Sequence, residues 1–190
     1  MRIRNFETKD MNELVSLYQA CFAEPPWYER FRPEELIKCF SEVLEMDQSV
    51  FLVAKDQEEI IGAAVGFPVS KKPEVAELIR NPTGYYLAEL FVRADYRRRH
   101  VARELVRKRF LCAFRYGFRF AFVRTSVDQP AIIDMYTRLF GFREVARQNV
   151  TSCKVISGQE QILPDTRVIL GGNITPHCFN PARTIPNPCT

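Results

Sequence analysis

Residues 85–93, YYLAELFVR, constrain the fold more than any other stretch. The segment is dense in apolar and aromatic side chains, and one acid, Glu89, interrupts it. Such a run reads as a buried strand. YRRRHVA (96–102) follows, and with it a helix begins. Val101, Ala102, Leu105, Val106, Phe110, Cys112 and Ala113 recur at helical spacing, so a helix is expected over 98–116, stopped by Gly117. Three arginines and a histidine at a helix start are out of place. The helix dipole is positive there, and each added cation costs roughly 0.3–1 kcal/mol. An anion must offset them. The unpaired N–H groups of the first turn converge on the same point, which is the physical recipe for a pyrophosphate site.

The flanking segments fill in one domain. MRIRNF reads as a strand, and Thr8 or Asp10 can cap a helix that runs to Phe22 and ends at Pro25-Pro26. Pro33 opens a second helix through Leu44. VFLVAK (50–55) and EIIGAAVGFPV (59–69) form a hairpin, and PEVAELIR supplies a short helix in the connection that follows. FRFAFVRTS (118–126) is a strand. Pro130 starts a helix to Phe140, stopped by Gly141, and FREVARQ (142–148) and TRVILGG (166–172) are strands. The expected class is α/β (α+β), with a single mixed, mostly antiparallel central sheet flanked by helices over residues 1–172. Residues 173–190, with four prolines in eighteen positions, read as an irregular C-terminal tail.

Composition narrows the chemistry. No segment approaches the roughly 18 uninterrupted apolar residues of a membrane helix. The charged start MRIRNFETKD has no apolar secretory core, so a cytoplasmic location is expected and no membrane partner. Two histidines, His100 and His177, leave little for a zinc site or a Ser-His-Asp triad, so no metal is expected. None of the six cysteines forms a CxxC pair, and a disulfide framework is not expected. From Arg93 to Arg124 there are eleven Lys/Arg against two acids, within a net charge of +4 for the whole chain. One basic region lies on an acidic body.

Two stretches resemble the GNAT superfamily of acyl-CoA-dependent N-acetyltransferases. LAELFVRADYRRRHVARELV is similar to their acyl-CoA-binding core: a strand, a short turn, then (Arg/Gln)-x-x-Gly-x-(Gly/Ala) at a helix start. Arg97 takes the first position and Ala102 the last. DQPAIIDMYTRLFGF is similar to the second signature, with Asp128, Ala131, Tyr136, Gly141 and Phe142 in its frame. The resemblance covers residues 1 to 150. His100 stands where the family has its central glycine, which allows the closest backbone approach to the pyrophosphate. The alanine-to-tyrosine and tyrosine-to-Gly-Phe spacings are each one residue short, so Thr137 competes with Tyr136 for the tyrosine position.

The resemblance implies acetyl-CoA as acyl donor and a small-molecule or peptide amine as acceptor. It implies that the backbone of Phe91 and Val92 holds the pantetheine. Arg97, Arg98, Arg99, His100, Val101 and Ala102 would hold the pyrophosphate, with Asp128 opening the second signature. Tyr136 would protonate the departing thiolate, and Glu89 would take a proton from the incoming amine. Each assignment has a plainer rival. Glu89 can pair with Arg124, Tyr136 can be a core aromatic, and the arginines can be a solvated helix face. Trp27 and Tyr28 can wall the acceptor site or plug the core beneath the helix turn. Two other functions compete: a CoA-binding or regulatory domain weakened by His100, and a nucleic-acid module using the basic helix 97–119. Core-facing aromatics near that helix disfavour nucleic acid. A homodimer is left open.

Overall fold

The computed structural model describes residues 1–179. The chain forms one seven-stranded sheet built from β1 (Arg2–Asn5), β2 (Val50–Asp56), β3 (Glu59–Pro68), β4 (Tyr85–Val92), β5 (Phe120–Ser126), β6 (Arg143–Ile156) and β7 (Gln159–Asn173). Their spatial order is β1-β2-β3-β4-β5-β7-β6. All neighbours are antiparallel except β4 and β5, which are parallel.

Helices cover both faces because strands in the middle of the sheet carry apolar side chains on both sides. α1 (Met11–Phe22) and α2 (Pro33–Glu45) pack on one face through Leu14, Tyr18, Leu36 and Phe40, against Val53, Val65 and Phe91. α4 (Val101–Arg115) packs on the other through Val101, Leu105, Val106 and Phe110, against Leu52, Tyr85 and Leu87. A short α3 (Pro73–Ile79) lies in the connection before β4. α5 (Pro130–Asp134) continues directly into a π-helical turn, Met135–Leu139. Gly117 and Gly141 end their helices with φ of +94° and +70°, a conformation that glycine adopts without steric cost.

Four local expectations are corrected. The basic helix begins at Val101, not Arg98, because Arg98 and His100 are both left-handed and cannot propagate a helix. Asp10 accepts from the backbone N–H of Glu7 at 2.9 Å and so caps the turn before α1 rather than α1 itself. Residues 149–165 extend β6 and β7 into one long hairpin, turned at Ser157 and Gly158 with φ of +51° and +80°. The stretch expected to be irregular after β7 contains a helix, α6 (Pro176–Phe179), whose Cys178 is buried while Phe179 packs on Phe114. The rest of the expected tail, 180–190, lies outside the described residues. No helix among the described residues is long and apolar enough to cross a membrane.

Candidate active site

The site follows from a failure of pairing. β4 and β5 are bridged only at Tyr85↔Ala121 and Tyr86↔Phe122. Beyond those pairs the two strands part. A cavity of about 1010 Å³ opens along the divergence, lined on one side by Glu89, Leu90, Phe91 and Val92 and on the other by Val123, Arg124 and Thr125. Along its other edge β4 stays paired to β3, with one irregularity. Val65 faces Glu89 and Phe67 faces Tyr86, so two steps on β3 match three on β4 and β4 bulges just before Glu89.

At one end of the cavity stands the start of α4. His100, Val101, Ala102 and Arg103 line it, so the first-turn N–H groups and the positive end of the helix dipole address that space. His100 has φ 66° and ψ 4°, the left-handed conformation that a glycine at this position would supply. The backbone path therefore survives the substitution, with His100 exposed at the rim of the cavity it lines. Holding that path costs about 1–2 kcal/mol of local strain. His100→Val, which adds β-branching at positive φ, is expected to destabilise the fold by about 2 kcal/mol. His100→Gly is expected to stay within about 1 kcal/mol of the parent, relief of strain being offset by a freer unfolded chain. Urea unfolding of both variants checks this.

The arginines divide. Arg97 lines the cavity, and its guanidinium donates to the Val92 carbonyl at 3.0 Å and to Glu24 at 2.5 Å. Arg98 lines the cavity and pairs with no acid among the described residues. Arg99 does not line it and lies over the Tyr96 ring at 5.2 Å. Asp128 also falls outside the lining and is exposed. Its neighbour Gln129 occupies the cavity wall and the cap position of α5.

Glu89 sits at the middle of the divergence, on the face covered by α1. Burial pushes its carboxyl up to about 7, against the opposing pull of Lys72, the Tyr18 hydroxyl and Arg109. It is enclosed by protein, and the partial exposure it keeps is to the cavity it lines. Tyr18 donates to Glu89 Oε2 at 3.4 Å. Arg124 makes no ion pair with Glu89. Its guanidinium goes instead to the Gln148 side chain at 3.3 Å.

Tyr136 is fully buried on the π-helical turn and lines the cavity from the α4 side. Thr137, its rival by spacing, turns its hydroxyl back to the carbonyls of Ile133 and Asp134. The Tyr136 hydroxyl accepts a hydrogen bond from Arg109 at 2.7 Å. Burial raises its pKa and Arg109 acts in the opposite direction. Arg109 is absent from the candidates named by sequence, although a signal was there. It falls four residues after Leu105 and four before Ala113, on the apolar stripe itself.

One wall of the cavity is formed by the α1–α2 connection. Trp27 and Glu29 line the cavity, whereas Tyr28 does not. This connection is held to the long hairpin at several points. Tyr28 accepts at its carbonyl from the Val155 N–H at 2.6 Å, and Lys154 donates to the Pro26 carbonyl at 2.7 Å. Arg167 lies over the Trp27 ring at 4.7 Å and 3.7 Å from Glu29.

Known proteins share the family profile and the fold. Residues 11–142 match the acetyltransferase (GNAT) family profile. No curated protein sequence matches significantly. Among solved structures, a ribosomal-protein-alanine N-acetyltransferase from Brucella melitensis is similar with a TM-score of 0.70 at 16% identity, over 91% of this chain and 99% of that one. An N-acetyltransferase from Staphylococcus aureus Mu50 is similar at 0.67 and 15% identity, over 92% and 98%. yncA from Salmonella typhimurium, solved with its cofactor acetyl-CoA, is similar at 0.68 and 13% identity, over 100% and 99%.

Proposed function

The chain belongs to the GNAT family of acetyltransferases, and on that premise we propose that it moves an acetyl group from acetyl-CoA to a primary amine by direct attack. The observation that carries the reading is the open seam between β4 and β5. It runs from an unpaired helix N-terminus to a carboxyl group poised near neutrality, with a buried phenol on its wall.

The site fits acetyl-CoA on the chain's own features. The left-handed turns at Arg98 and His100 curl the backbone ahead of α4, and the helix offers free N–H donors and Arg98 a cation to a pyrophosphate. The unbridged edge of β4 at Phe91 and Val92 offers peptide groups to an extended amide-bearing arm. When bound, acetyl-CoA supplies an activated thioester. The residues then divide the proton work. The Glu89 carboxylate takes a proton from the incoming ammonium, directly or through a water, which frees the nitrogen lone pair for the acyl carbon. As the carbon–nitrogen bond forms and the carbon–sulfur bond breaks, Tyr136 Oη gives its proton to the sulfur, and the extra proton left on the new amide nitrogen returns through solvent to the Tyr136 oxygen. Trp27 presents an apolar face to the acceptor, and Glu29 and Glu89 place negative charge where an ammonium arrives. The acceptor class is a small-molecule or peptide amine.

The nucleic-acid reading loses support in the same region. Arg93 is paired with Glu59 and Asp95, Arg97 with Glu24, and Arg103 and Arg107 with Glu104, so four of the eleven cations of the apparent basic patch are engaged by acids on the surface. Thermal melting separates the two. Acetyl-CoA at 100 times its Kd is expected to add about 2.7 kcal/mol to stability and raise the Tm by several degrees. No shift with acetyl-CoA, together with a salt-sensitive shift on single-stranded RNA, would reverse the assignment.

A further inference from the structure

Arg109 lies fully buried in the middle of α4, and no acid forms an ion pair with it among the described residues. The stripe it occupies needs only apolar bulk, since Leu105, Phe110 and Ala113 around it are packed without polar groups. Burying a guanidinium there is expensive unless its donors are used. The two terminal nitrogens use theirs on three atoms of the site, and Nε–H is left without a partner among the described residues. One terminal nitrogen donates to the Val65 carbonyl at 2.6 Å and to the Glu89 carbonyl at 2.8 Å. The other donates to the Tyr136 hydroxyl at 2.7 Å. The two carbonyls belong to the Val65–Glu89 pair, which borders the bulge where the β3–β4 register breaks. β3 also makes room for the side chain. A Cβ at Gly66 would come within 3.2 Å of Arg109 Cδ and 2.6 Å of the Tyr85 ring.

We propose that Arg109 is a positioning residue for acetyl transfer, acting through the β4 bulge and through Tyr136. The proposal rests on the reading of the seam as an acetyl-CoA site. A guanidinium can only donate. Tyr136 Oη therefore accepts from Arg109, and its own proton is left for a different acceptor, on the side where the tyrosine lines the cavity. By fixing the Val65 and Glu89 carbonyls, the same side chain sets the course of β4 as it emerges from the bulge, and with it the strand edge available to the pantetheine arm. One rigid, planar group thus joins β3, β4 and the π-helical turn, at the main chain of Glu89 and at the hydroxyl of Tyr136.

The test is isothermal titration of Arg109→Met and Arg109→Lys with two probes. One is acetyl-CoA. The other is adenosine 3′,5′-bisphosphate, a head-group fragment that lacks the pantetheine arm. Arg109→Met is expected to bind acetyl-CoA at least tenfold more weakly and the bisphosphate within twofold of the parent. Arg109→Lys, whose single nitrogen cannot span all three acceptors, should fall between. A general loss of structure would weaken both probes together. Equal weakening of both, or parental acetyl-CoA affinity in a cooperatively folded Met variant, overturns the proposal. If the Met variant does not fold, parental affinity in the Lys variant overturns it. A parent protein that binds no acetyl-CoA removes the underlying reading first, and that outcome is visible before any variant is made. Turnover gives a second readout at saturating acetyl-CoA. Adding Arg109→Met to Tyr136→Phe should cost less than threefold more in kcat, and multiplied losses would contradict the coupling.

Discussion

Glu89→Gln is expected to lower turnover by roughly 10²–10⁴-fold while making the protein more stable at pH 8. Both effects have one cause. Burial lifts the Glu89 carboxyl to about 7, so at pH 8 the fold holds a charge it would rather not hold. Below pH about 4.5 the group is protonated in both the folded and the unfolded chain, and its contribution to stability is fully present. As pH rises toward 7 the unfolded chain ionises first, and the fold loses on the order of 3 kcal/mol. Glutamine carries no charge at either pH, so its advantage appears only at the upper end of that window. The groups that face Glu89 are Tyr18 from α1, Lys72 from the connection after β3, Arg109 from α4 and Glu29 from the α1–α2 connection. Parental turnover should rise about tenfold per pH unit below 7 and level off above it, as a general base requires. Urea unfolding at pH 5 and pH 8, with a pH–rate profile, checks both halves. A Gln variant with parental turnover, or with the same stability gain at both pH values, would contradict the role.

Tyr136→Phe is the second large effect. It removes the proton assigned to the leaving sulfur, with an expected fall in kcat of roughly 10²–10⁴-fold. It also strands a buried donor of Arg109, at a cost of about 1–3 kcal/mol in stability. The KM for acetyl-CoA should change little, because the lost interaction is made mainly in the transition state. Thr137→Val is the matched control. Its hydroxyl bonds its own helix, so turnover should stay within about threefold of the parent. Loss of activity in the Thr137 variant with retention in the Tyr136 variant would exchange the two assignments.

What was legible in the sequence was what side-chain periodicity controls. The central strand, the helix that follows it, the Gly117 and Gly141 stops and the hairpin of β2 and β3 all carry apolar patterns strong enough to locate. The long β6–β7 hairpin does not. Its outer half, NVTSCKVISGQEQILPD, has little apolar alternation because β6 is an edge strand with much of its surface in solvent. Only the Ser157-Gly158 turn marks it. The true start of α4 was hidden because left-handed arginine and histidine leave no trace in composition. Arg109 was missed for a different reason. A cation on an apolar stripe usually reads as a flaw in the pattern, and only the three acceptors that surround it explain its place. The π-helical turn is also invisible by spacing, and it is what presents Tyr136 rather than Thr137 to the core.

The most direct test of acetyl transfer is thiol release from acetyl-CoA in the presence of pooled primary amines. The pools should span polyamines, amino acids, aminoglycosides, lysine peptides and peptide N-termini, with product mass read in parallel. The expected result is amine-dependent release of free CoA in at least one pool, with a product 42 Da heavier than its amine (roughly one acetyl for one hydrogen), and loss of that signal in Glu89→Gln and Tyr136→Phe. Acetyl-CoA that binds yet releases no thiol with any pool, or release that both variants leave unchanged, would contradict the account.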